Sequence, residues 1–96
     1  MNEKQLDRAI QSVGKSCFVK YFENFRDSNQ KYADLVELLK REENYTENAS
    51  KTRVSKARNI ITNGHAEEIL VVISKSGRLD DDIIKKAKDL LRKYYS

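Results

Sequence analysis

The chain has 96 residues, 35% of them charged and 39% hydrophobic, with a net charge of +4 and a pI near 9.2. That length suits one domain with a thin core, and the longest strictly apolar run, residues 69–73, falls far short of the roughly 20 residues of a membrane-spanning helix. Cys17 is the only cysteine and His65 the only histidine, which excludes an internal disulfide and a zinc-ligand cluster. Residues 1–7 carry no apolar signal core, so the expected location is cytoplasmic.

Taken in chain order, Leu6, Ala9, Ile10 and Val13 recur as one face of a helix that stops at Gly14. Phe18, Phe22 and Phe25 follow at i, i+4 and i+7, with Val19 and Tyr21 beside them; they predict a second helix, with Ser16 as its candidate cap. Asp27, Ser28 and Asn29 form a polar break, and Ser28 is placed to cap a third helix bearing Tyr32, Leu35, Val36, Leu38 and Leu39. After the short connection 42–45, Thr46 or Asn44 opens a fourth helix, Asn44 and Glu47 having the spacing of a capping box. That helix ends at Asn63 and Gly64.

Residues 66–76 are harder to read. The run 69–73 is β-branched and apolar on every side, a pattern shared by buried helices and buried strands. A lone strand would have no partner in this chain, so helix is the expectation. The last segment has Asp80, Asp81 and Asp82 at its start and Arg92 and Lys93 at its end, each complementing the helix dipole. Between them Ile83, Ile84, Ala87, Leu90, Leu91 and Tyr94 build a core face. Gly14, Gly64 and Gly77 fall where the periodicity pauses, as residues that take the left-handed conformation past helix ends do. The expected fold is all-α: one domain over 1–96, a compact bundle of five or six short helices, with the third and fourth able to form a helix-turn-helix-like unit.

The positive charge is local. Residues 1–48 hold 8 Lys/Arg against 9 Asp/Glu, whereas residues 49–96 hold 11 against 6. Within 49–64 the basic residues are Lys51, Arg53, Lys56 and Arg58, with no acid. At about 100° per residue, helix 46–62 turns Ala49, Ser50, Val54, Ala57, Ile60 and Ile61 inward. Lys51, Thr52, Ser55, Lys56, Arg58, Asn59 and Thr62 share the opposite face, which carries cations for phosphates and short hydroxyl and amide groups able to approach base edges. Arg53 falls within the apolar arc, so its guanidinium must either reach out along its stem or meet an acid.

Elsewhere the residues point to packing. Cys17 reads as a small buried hydrophobe, and His65 as a surface or capping residue. Glu67, Glu68 and the three aspartates suit helix N-termini without a metal. Gly14, Lys15 and Ser16 lack the upstream glycine and strand of a phosphate-binding loop. No catalytic constellation, metal site or cofactor is expected. The expected function is binding of double-stranded DNA, as by a small transcriptional regulator, through Lys51, Thr52, Ser55, Lys56, Arg58 and Asn59. The alternative is a helical adaptor whose basic face meets an acidic protein surface. A homodimer contact through Tyr95 is a further option.

Overall fold

Cys17, Phe18 and Val19 are consecutive and all buried, which one straight helix resting on a single neighbour cannot arrange, because successive residues diverge by about 100°. The chain bends instead. Lys15–Lys20 (α2) and Phe22–Arg26 (α3) are separate helices joined at Tyr21, whose φ of −111° and ψ of 19° interrupt the helical conformation. The N–H groups of Tyr21 and Phe25 still donate to the carbonyls of Cys17 and Tyr21 at 3.1 and 2.9 Å. The single helix expected through Phe18, Phe22 and Phe25 is therefore two short ones.

The structure, a computed structural model, describes residues 3–95. The other helices are α1 (Glu3–Val13), α4 (Tyr32–Glu43), α5 (Glu47–Thr62), α6 (Ala66–Ser74) and α7 (Asp81–Tyr95). The fold is all-α, with seven helices rather than five or six, and no strand occurs among the described residues. No helix among them is long and apolar enough to cross a membrane.

The helix boundaries follow local chemistry. Asn63 ends α5, and Gly64 takes a φ of +79°. Its N–H donates to Ile61 at 3.1 Å and that of His65 to Ile60 at 2.9 Å, which satisfies two terminal carbonyls in a Schellman turn. Gly14 separates α1 from α2 at a φ of +88°. Gly77 is not in the left-handed region; it lies in the loop between α6 and α7. Thr46, not Asn44, caps α5: its Oγ1 accepts from the Ala49 N–H at 3.1 Å, while Asn44 closes α4 in the left-handed conformation. Ser16 lies inside α2, and α4 starts after Lys31 without a side-chain cap, so neither Ser16 nor Ser28 caps a helix.

Phe18, Phe22, Leu35, Leu39, Ile60, Leu70 and Ile73 are fully buried in one continuous core. Each such side chain contributes about 1.5–3 kcal/mol through removal from water. The ambiguous apolar run is helical in α6: Ile69, Leu70 and Ile73 point inward and Val72 is left exposed. α6 pairs with α7, and α7 packs on α2. α5 lies against α1, α3 and α4, leaving one long side to solvent.

Candidate nucleic-acid interface

The solvent side of α5 divides into two rows. Lys56 and Asn59 border a groove against α1, whose other lining residues are Gln5, Arg8, Ala9, Ser12 and Ile60. Thr52, one turn before Lys56, continues that row. The second row turns toward α4. The Tyr32 hydroxyl donates to the Lys51 carbonyl at 3.3 Å, and Ser55 Oγ approaches the same hydroxyl at 3.5 Å. Lys51, Thr52, Ser55, Lys56 and Asn59 are all exposed, so the structure brings five of the six expected contact residues onto one open surface.

Arg58 is placed differently. It is half-buried, and its guanidinium donates to the carbonyls of Gln30 and, at 3.3 Å, Asp27. Those carbonyls belong to the loop before α4, so Arg58 acts as a strut between that loop and α5. Together with the Tyr32 contact, it ties the start of α4 alongside α5.

Arg53 is half-buried and forms no ion pair among the described residues. Its guanidinium donates to the Val13 carbonyl at the end of α1 and lies 4.0 Å from the centre of the Tyr45 ring. A cation at a helix C-terminus and over an aromatic face is stabilised by both. Gly14 lies beside this contact: its φ of +88° favours glycine, and a Cβ there would stand 2.9 Å from Arg53 Nη1 and push the guanidinium aside.

The acids before α5 are drawn to other partners. Glu43 Oε2 accepts from Lys20 Nζ at 2.7 Å and from the Tyr21 hydroxyl at 2.9 Å, and these donors hold its carboxyl below the usual range. Glu42 sits 3.3 Å from Arg41 Nε. Glu47, in the first turn of α5, lies 3.9 Å from Lys40 and 3.8 Å from Lys51. It brings a carboxylate to the edge of the basic face, and it does so at the N-terminal end. From Thr52 onward the face has no acid of its own.

Two residues of this surface carry little signal in the sequence. Helical spacing places Tyr32 on the core side of its helix, yet it is 40% exposed and flanks Lys51 and Ser55. Arg8 faces Lys56 across the α1–α5 groove. The spacing of Gln5, Arg8, Ala9 and Ser12 along one side of α1 carries the only sequence signal for it, and which helix that side meets is a tertiary fact.

Other candidates stay structural. Burial pushes the Cys17 thiol up to about 11, so it is neither a thiolate nor a nucleophile near neutral pH. His65 Nδ1 lies 3.3 Å from Glu68 at the start of α6. No group of three potential metal ligands occurs among the described residues. Tyr94 packs on Phe22 and under Arg26, and Tyr95 is exposed. What fold and surface define is a small helical domain with an open, basic helix face. No protein-family model, curated protein or solved structure matches the chain.

Proposed function

We propose that this domain binds double-stranded DNA through the outer face of α5, as a small transcriptional regulator would. The observation that carries the reading is the exposed surface formed by Lys51, Thr52, Ser55, Lys56 and Asn59, free of acids beyond the first helical turn. Lysines there supply sequence-independent attraction to phosphates, and the threonine, serine and asparagine supply short donors and acceptors for base edges. The contacting surface is α5 itself, with α4 packed against it, so the reading does not depend on a helix-turn-helix crossing.

Fluorescence anisotropy with a labelled mixed-sequence duplex tests it. The wild-type chain binds at low salt, with log affinity falling linearly against log salt concentration. Replacing Lys51 and Lys56 together by alanine weakens binding and makes that slope shallower by up to about two units, one for each phosphate that is no longer neutralised. Absence of binding at low salt, or an unchanged slope in the double variant, sinks the reading. Binding to an acidic protein surface instead of DNA would establish the adaptor function in its place.

A further inference from the structure

A helix lying in the major groove fills it, since helix and groove are each about 12 Å across. Elements packed beside that helix are then pressed toward the bordering sugar-phosphate strands. On one flank of α5 the neighbour is α1. We propose that the groove between α1 and α5 seats one DNA backbone strand, with Arg8 as a phosphate ligand opposite Lys56; this rests on the DNA-binding reading of α5.

The groove has a volume of about 350 Å³. Arg8 lines it from α1 and Lys56 and Asn59 from α5, and the half-buried Ala9 and buried Ile60 supply its apolar lining. Cations on both walls suit a phosphodiester, and the small apolar lining suits the deoxyribose that follows it. Among the described residues, no acid lines this groove. The groove on the other side of α1, between α1 and α6, carries Asp7 and Glu68 as well as Lys15. The depression around Asn24 and Gln30 carries Glu23 and Asp27. Among the described residues, neither Arg8 nor Lys56 has an ion-pair partner, whereas Lys51 and Lys40 both approach Glu47. The site is thus charged on both walls, uncompensated and continuous with the α5 face.

The test compares Arg8→Ala, Arg8→Lys and Lys88→Ala with the wild type in the same anisotropy titration. Lys88 is exposed on α7, which packs against α6 and α2, so its removal lowers the net charge by the same amount away from the groove. Arg8→Ala should weaken binding about three- to tenfold and flatten the salt slope by about 0.9, the value for a single phosphate neutralised. Arg8→Lys should retain the slope, because it keeps the charge, and Lys88→Ala should change affinity less than about twofold. If the wild type binds and Arg8→Ala merely matches Lys88→Ala, the groove assignment falls and the α5 reading stands. If the wild type does not bind, both fall.

Discussion

Lys51, Lys56 and Arg58 are equivalent as charges in the acid-free stretch of α5, yet burial divides Arg58 from the two lysines. Lys51 and Lys56 project from the face, whereas Arg58 commits its N–H groups to main-chain carbonyls of residues 27 and 30. Both bonds are donated by Nη2, whose two N–H groups the rigid guanidinium plane holds in fixed directions; an ammonium is a point donor on a flexible stem. Arg58→Lys should therefore lower the free energy of unfolding by about 1 kcal/mol, the worth of one hydrogen bond to a charged group less what the lysine recovers. The same substitution should leave DNA affinity nearly unchanged below the unfolding transition. Urea denaturation and anisotropy on one preparation separate the two effects. Loss of affinity without loss of stability would return Arg58 to the binding face.

At the scale of the element, α5 carries one favourable and one unfavourable polar group on neighbouring turns. The Thr46 hydroxyl satisfies the Ala49 N–H, and Thr46→Ala should cost about 1 kcal/mol. Ser50 is fully buried, and its Oγ has no hydrogen-bond partner among the described residues. Ser50→Ala removes that unpaired hydroxyl and inserts a better helix former of smaller volume, so it should stabilise by about 0.5–1 kcal/mol. Chemical denaturation reads both, and a destabilised Ser50→Ala variant would show that the hydroxyl is bonded in solution. The inward arc of α5 is legible in sequence because Val54, Ala57 and Ile60 repeat at helical spacing, and all three are buried. The two-helix break at Tyr21 is not, since Phe18, Phe22 and Phe25 keep perfect spacing across it. The reason for the bend is the neighbouring burial of Cys17 and Val19, which only packing on several sides can produce. Likewise the helical wheel identifies the exposed face of α5 but not Arg8 or Tyr32, which reach it from other helices. Periodicity reports which side of a helix is dry; it does not report which partner makes it so.

Across the whole molecule, two carboxylates join helices distant in sequence. Glu43 on α4 accepts from Lys20 and Tyr21, at the end of α2 and the bend after it. Glu23 on α3 accepts from Lys93 at 2.8 Å and from the Tyr94 hydroxyl at 2.6 Å, both on α7. Donation from these partners lowers both carboxyls from an ordinary value of 4.5. A carboxyl whose folded pKa is depressed stabilises the fold above its unfolded value, and that contribution disappears as pH falls through the folded one. The alkaline side has the opposite sign. Burial, and then the Glu43 carboxylate, push Tyr21 up to about 12, so the phenol stabilises the fold below about 10 and the contribution fades as pH rises toward 12. The Glu43–Tyr21 hydrogen bond thus stabilises the fold across the middle of the pH range and is lost at both ends, by protonation of the carboxylate in acid and deprotonation of the phenol in alkali. Urea denaturation at pH 7, 5 and 3 should find Glu23→Gln/Glu43→Gln less stable than the wild type at pH 7, with the gap narrowing as pH falls below 4.5, where the unfolded chain takes up protons that the folded carboxylates resist. A gap that stays constant from pH 7 to 3 would mean that these residues contribute through packing alone, and the acid sensitivity of the fold would then have to arise at its other carboxylates.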